Sequence, residues 1–283
     1  MIARADYELL GRVLQENSGL SLGEGKEYLL ESRLAPVAAC LGYPGLEGLV
    51  QALRRGAPAP VVKSVCEAMT TNESLFFRDG TPFTLLREKV LPALVAARQH
   101  TRRLRIWCAA ASTGQEPYSV AMTLAGMVPA LSGWSVEILA TDYSRAALGR
   151  AREGVYNHFE VQRGLPIQML LKHFRQEGND WRISDEMRRA VTFREANLLD
   201  PFGGLGTFDL VFCRNVLIYF DVQTKRDVLE RMARVMAPDG YLFLGAAETA
   251  VGLTDRVSRV NALPASIYQV AGASPVARVS LAS

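Results

Sequence analysis

Apolar residues recur at helical spacing along the first seventy positions. Tyr7, Leu10, Val13 and Leu14 mark one helix, with Asp6 as its predicted cap and Ser18-Gly19 as its stop. A second helical stretch over 25–41 carries Tyr28, Leu29, Leu30, Leu34, Val37 and Leu41, and Pro36 predicts a kink in it. A turn at 42–45 and the Pro-bearing break at 54–60 separate two shorter helical runs, 46–53 and 61–68. Leu85, Leu86, Val90 and Leu94 predict one more helix. From Arg105 the period changes to short continuous apolar runs, the pattern of strands buried on both faces.

The first such run starts at Arg105 and enters a turn of small residues, Ala110, Ala111, Ser112, Thr113 and Gly114. A helix follows with Pro117 in its first turn, where a missing N–H is harmless. Thr113 and Glu116 have the spacing of a capping box. A second strand over 136–141 ends on Asp142, and Ser144 caps the next helix. Strand, tight turn, helix, strand and acid in that order build a nucleotide crevice at the carboxyl ends of parallel strands. The next forty residues interrupt the alternation. They hold an amphipathic helix over 166–174, a turn at 177–180 and a strand at 181–184, read as a small inserted subdomain over about 157–190. Strands at 191–197 and 208–213 resume the main pattern. A helix over 222–237 follows, capped by Asp221 and stopped by Pro238-Asp239-Gly240, and then strands at 241–245 and 265–270.

With 283 residues and 49% hydrophobic composition, the chain can bury one large core or two. A net charge of +3 is too mild to point to nucleic acid, and no apolar run is long enough to enter a membrane. Lys26, Arg33, Arg54 and Arg55 are balanced by Glu24, Glu27, Glu31 and Glu47, a pattern read first as solvated surface. Four scattered cysteines and three histidines predict reduced buried thiols in a soluble cytoplasmic protein with no metal site. The Ala- and Ser-rich end, 271–283, predicts a flexible tail.

One glycine in the turn is a poor match to a pyrophosphate loop. A nucleoside with a cationic sulfonium and no phosphate, S-adenosyl-L-methionine (SAM), suits a loop crowded with alanine and followed by Glu116. That glutamate can equally be a helix cap. Between the two modules, 69–80 is polar but carries Phe76 and Phe77, so it is expected to pack against a domain.

In order and residue content these segments resemble the chemotaxis receptor glutamate methyltransferases, the CheR family. The matching pieces include Thr71-Asn72-Glu73-Ser74-Leu75-Phe76-Phe77-Arg78-Asp79, Ala110-Ala111-Ser112-Thr113-Gly114-Gln115-Glu116-Pro117-Tyr118-Ser119 and Ala140-Thr141-Asp142. Gly154-Val155-Tyr156, Asn197-Leu198-Leu199 and the run from Phe212 through Arg214 and Asn215 to Phe220 complete the set. The resemblance implies an α/β fold: a Rossmann-like SAM-dependent methyltransferase sheet (81–270), an N-terminal all-α domain (1–68) for substrate docking, and a small inserted β-subdomain. It implies that Asn72, Ser74 and Arg78 reach over the cofactor from the linker, and that Glu116 and Asp142 line its nucleoside and amino-acid portions. The turn residues Ala110 and Gly114 approach it, while Asn197, Leu198, Arg214 and Asn215 close the pocket. Arg78 and Tyr219 fall near the transferred methyl. Two positions depart from the family pattern: Gln115 replaces a frequent second glutamate, and Ser74 a frequent threonine.

The implied reaction converts glutamates of chemoreceptors to γ-methyl esters and releases S-adenosyl-L-homocysteine. A glutamate with a pKa of roughly 4.3 is already ionised at neutral pH, so no general base is required. Two rivals stand beside this reading. A non-catalytic SAM-binding scaffold would be expected to show degraded pocket residues. An adenine-amino methyltransferase would carry a Pro-Pro-aromatic signature where Arg214 to Tyr219 stand. The expected partners are the cytoplasmic methylation helices of receptors, met by a monomer with no nucleic-acid or membrane-inserting surface. Lys26 and Arg33 are the candidate docking residues. The short turn 175–181 has one glycine, which predicts no tether to a receptor C-terminal pentapeptide.

Overall fold

The computed structural model describes residues 2–23 and 25–272; Glu24 and most of the expected tail, 273–283, lie outside them. Four helices open the chain: α1 (Arg4–Ser18), α2 (Glu27–Cys40), α3 (Gly45–Arg54) and α4 (Ala59–Met69). They close around Leu10, Leu14, Leu30, Leu34, Leu49, Leu53 and Val65, a core of their own. Helices this short are marginal alone, and each buried leucine, at about 1.5–3 kcal/mol, holds them by packing. Gly19 ends α1 at φ 76° as the sequence predicts. Asp6 does not cap α1: Ala3 stands at the cap, and the Asp6 carboxylate is taken by Arg54 at 2.6 Å. Cys40 also departs from expectation, being exposed, whereas Cys66, Cys108 and Cys213 are buried.

Ten strands are present among the described residues: β1 (Arg103–Ala109), β2 (Ser135–Asp142), β3 (Val155–Asn157), β4 (Phe174–Glu177), β5 (Asp180–Ile183), β6 (Val191–Glu195), β7 (Phe208–Cys213), β8 (Met236–Leu244), β9 (Val257–Arg259) and β10 (Ile267–Val270). The main sheet has the order β6-β2-β1-β7-β8-β10-β9. Its first five strands are parallel, and β10 runs antiparallel to both neighbours. Along β1, Leu104, Ile106 and Cys108 enter one core, while Trp107 and Ala109 enter the other. That two-sided burial is why the sequence shows a continuous apolar run. The chain leaves β1 towards β2 on one side and later returns to β7 on the other, so a crevice opens at the carboxyl ends of these three strands.

The second sheet is the insert, antiparallel with order β3-β5-β4. Its first strand begins at Val155, two residues before the 157–190 span, and a two-residue turn, Gly178-Asn179, joins β4 to β5. The insert helix Ile167–His173 buries Leu170 and leaves Ile167 and Leu171 exposed. No helix of the described residues is long and apolar enough to cross a membrane.

One predicted boundary fails for a tertiary reason. The helix over 222–237 stops at Arg234, and Pro238-Asp239-Gly240 lies inside β8 instead of ending a helix. Arg98 donates from both terminal nitrogens to Asp239 (2.7 and 2.5 Å) and from Nε to Asp209 (2.8 Å). The second Asp209 oxygen accepts the Arg105 N–H. A Cβ on Gly240 would sit 2.9 Å from the Asp209 carbonyl oxygen, so glycine permits the shifted pairing of β7 with β8. Strand β9, three residues long, is too short to leave a pattern.

The Arg98 guanidinium holds the Asp239 carboxyl below the ordinary carboxylate range. A depressed pKa contributes stability above the unfolded value, about 3.9, that is lost as pH falls through the folded value. Asp239→Asn should therefore lower the urea-unfolding free energy by about 1–3 kcal/mol at neutral pH and by progressively less in acid. An equal loss at both ends of that range would remove the ion pair as the cause.

Candidate functional site

The linker leaves α4 and is locked by its aromatics. Phe76 is fully buried edge-on to Tyr156 (4.9 Å) and Phe174 (5.5 Å), and the Phe77 N–H donates to Ser119 Oγ at 2.9 Å. The Phe76 carbonyl oxygen would lie 2.1 Å from a Cβ on Gly164, so that glycine lets the insert close on the linker. Phe77 (φ 48°) and Asp79 (φ 69°) both take the left-handed region, and the sharp turn they make carries Arg78 to the crevice.

The small-residue turn after β1 shares this strain, with Ala110 at φ 56° and Ser112 at φ 51°. Asp142, at the end of β2, holds it: its two oxygens accept the N–H of Ser112 (2.7 Å) and of Ser144 (2.8 Å). Burial pushes the Asp142 carboxyl up, and these two N–H groups pull part of the way back. Ser112 Oγ donates to the Asn72 carbonyl at 2.7 Å, joining turn to linker. The expected capping box does not form. Thr113 Oγ1 bonds Gln115 Oε1, and Glu116 turns inward to Arg214 Nη1 at 3.0 Å.

Arg214, just past β7, has a side chain only 1% exposed. Besides Glu116, it donates to Asp79 Oδ2 (2.6 Å) and to the Arg78 carbonyl (3.0 Å). Its Nε has no partner among the described residues. Burial raises the Glu116 carboxyl, and the Arg214 charge opposes that rise without cancelling it. Asn215 follows at φ 60°, and a short 3-10 turn, Leu217–Tyr219, presents Tyr219.

The helical domain supplies a wall of its own. Ser21 N–H donates to the Tyr219 carbonyl (2.8 Å), Asn197 Nδ2 to the Asn17 carbonyl (2.8 Å), and Gln15 Nε2 to Asp221 (2.5 Å). Lys63 of α4 lies 3.2 Å from the centre of the Tyr143 ring and donates to the Tyr143 carbonyl. Arg33 is engaged differently from expectation: it donates to the Met69 and Thr70 carbonyls (both 3.0 Å) and so holds the start of the linker. Lys26 is exposed at the N-terminus of α2.

These segments enclose a cleft of about 920 Å³, counting its open mouth. Asn72, Ser74, Arg78, Ala110, Glu116, Asp142, Asn197, Leu198, Arg214, Asn215 and Tyr219 all line it. Gly114 does not. A Cβ there would press on Ala151 (2.9 Å) and Tyr156 Oη (3.1 Å), so its role at φ 95° is to let the turn pack. Sequence reasoning missed Ser18, Leu20, Thr70 and Tyr143, which line the cleft because α1 and α4 dock there. It also missed buried Glu248, whose oxygens accept backbone N–H groups beneath the Tyr219 loop.

The donor set fits a nucleoside with a cationic amino-acid arm. Two carboxylates and an alanine-lined turn offer acceptors for hydroxyl and ammonium groups and leave room for a flat base. A family model for the CheR methyltransferase all-alpha domain matches residues 5–70, and one for the CheR methyltransferase SAM binding domain matches 72–265. The chain belongs to the CheR methyltransferase family. The chemotaxis protein methyltransferase of Vibrio parahaemolyticus is 40% identical over 95% of this chain and 98% of its own length. Chemotaxis protein methyltransferase 1 of Pseudomonas aeruginosa is 42% identical over 94% and 98%, and the Escherichia coli protein 32% over 87% and 85%. As for CheR proteins generally, SAM is the cofactor.

Asp142→Asn should weaken S-adenosyl-L-homocysteine binding by about 1.5–3 kcal/mol, the range for a hydrogen bond to a charged acceptor. Because burial raises this carboxyl, wild-type affinity should begin to fall in acid at a higher pH than an ordinary aspartate would give. Calorimetry across pH should find the asparagine variant flat over that range; an identical pH profile in both proteins would take Asp142 out of the site.

Proposed function

We propose that this CheR protein transfers a methyl group from SAM to glutamate side chains of chemoreceptor cytoplasmic helices, forming γ-methyl esters. The observation that carries the reading is the meeting of Arg78 and Tyr219 in the cleft that Glu116 and Asp142 line. The named relatives in chemotaxis support the receptor as substrate.

The bound cofactor supplies an electrophilic methyl on a sulfonium. The chain's own task is to hold the two partners in line and dry, which can provide much of the barrier reduction. The incoming glutamate is ionised, so no residue has to take its proton. Arg78, half-buried on its strained turn, can orient the carboxylate, and the Tyr219 hydroxyl can add a weaker hydrogen bond. Arg214 is tied to Glu116 and Asp79, so it shapes the site and leaves the substrate to Arg78. Cys108 and Cys213 are poor nucleophiles, because full burial raises both thiols well above their usual range.

Recognition rests on the methylation helices themselves and needs no pentapeptide tether. The β4–β5 turn is only Gly178-Asn179, and the adjacent side chains are occupied: Glu177 pairs with Arg175 and Arg182, both at 2.7 Å. Of the two residues expected to dock substrate, Lys26 remains available on the helical domain, whereas Arg33 is engaged with the linker.

Incubation with methyl-labelled SAM and receptor cytoplasmic fragments should give label that mild base releases, as an ester must; base-stable label would overturn the glutamate assignment. Arg78→Ala and Tyr219→Phe should each lower kcat by about 10–100-fold with an unchanged melting temperature. A fully active variant would remove its residue from the chemistry. A receptor-tail pentapeptide titrated against the protein should show no saturable binding, and micromolar binding at the insert would contradict the tether-free reading.

A further inference from the structure

Glu248 lies 33 residues beyond the β7 loop and outside the cleft lining, yet it is buried beneath that loop (6% exposed). Its carboxylate accepts four backbone N–H groups: Gly245 (2.7 Å), Asn215 (2.8 Å), Val216 (2.9 Å) and Ile218 (3.3 Å). Oε2 takes the first two and Oε1 the others. Val216 in turn accepts the Tyr219 N–H through its carbonyl at 3.1 Å, so the turn bearing the phenol hangs from a residue that Glu248 grips. The same grip holds Asn215 at φ 60°, the left-handed region that asparagine tolerates better than most residues.

Only a carboxylate can do this. It is an acceptor at both oxygens, whereas an amide presents a second set of donors to donors. Gly245 makes the room. A Cβ there would lie 2.6 Å from Glu248 Oε2 and 2.8 Å from Asn215 Nδ2.

We propose that Glu248 is a positioning residue for methyl transfer: by accepting four N–H groups it sets the Asn215–Tyr219 loop, and through it the Tyr219 hydroxyl, against the substrate carboxylate. This rests on the role proposed for Tyr219. It predicts a coupling that a merely structural carboxylate would not produce, because the effect of losing Glu248 must pass through Tyr219.

Glu248→Gln should lower kcat on receptor fragments by about 10–100-fold, the penalty for a small misplacement of a reacting partner. Calorimetric Kd for S-adenosyl-L-homocysteine should change by less than about threefold. In a Tyr219→Phe background the same substitution should lower kcat little further, since coupled residues are not additive. Gly245→Ala, whose added methyl would press on both Glu248 Oε2 and Asn215, should lower kcat likewise. Wild-type kcat in Glu248→Gln, or a loss fully additive with Tyr219→Phe, would overturn the proposal. So would loss of S-adenosyl-L-homocysteine binding in both Glu248→Gln and Gly245→Ala, since the carboxylate would then be structural only. The broader reading is tested separately: wild-type protein that transfers no base-labile methyl to receptors fails that reading, whatever Glu248 does.

Discussion

The site depends on a guanidinium taken out of water. Arg214 is buried where a charge is tolerated only with partners, and the partners it has recruited come from two other segments. Glu116 is at the start of a helix, Asp79 and the Arg78 carbonyl are on the linker, and Arg214 itself follows β7. Losing one partner from such a pair costs about 3–5 kcal/mol, because the remaining charge stays buried. Satisfying Arg214 therefore fixes the linker turn, the helix start and the strand end relative to one another. Those are the segments that bear Arg78, Glu116 and Asn215.

Strain is concentrated in the same place. Of the six described non-glycine residues with positive φ, five (Phe77, Asp79, Ala110, Ser112 and Asn215) lie on or beside segments that line the cleft; the sixth, Arg102, precedes β1. Each such residue costs on the order of 1–3 kcal/mol. The cost is met locally. Asp142 binds the N–H of Ser112, Glu248 the N–H of Asn215, and Ser119 the N–H of Phe77. Buried carboxylates here serve first as acceptors that shape loops. The two Asp142 oxygens, each accepting one N–H, keep further lone pairs beyond that duty.

The helical domain is part of this machinery as well as a platform beside it. Ser21 bonds the Tyr219 carbonyl, Asn197 bonds the Asn17 carbonyl, and Lys63 grips Tyr143 between the carbonyl and the ring face. Three loops of the methyltransferase sheet are thus held from outside the sheet. A substrate helix docking on the helical domain would press on elements that already touch the cofactor cleft.

Much of this was legible in the residues. Continuous apolar runs mark β1, β2 and β7 because both faces of those strands are covered, and a tight small-residue turn before a helix marks the crevice. The ordered motifs located the cleft residues, since the backbone turns that line a cleft are local in sequence. What the chain alone could not decide were partners far apart in sequence. Glu116 had the spacing of a helix cap, but a buried guanidinium 98 residues away bonded it more strongly. Asp239 looked like a turn residue until Arg98 drew it into β8, and Arg33, read as free surface charge, was taken by the carbonyls at the end of α4. Glu248 had no local pattern at all, because its meaning lies in four N–H groups that only the folded loops bring together. Periodicity and turn chemistry act through neighbours along the chain and are written in the sequence; the pairing of buried charges is settled by which groups lose their water together, and only the tertiary structure decides that.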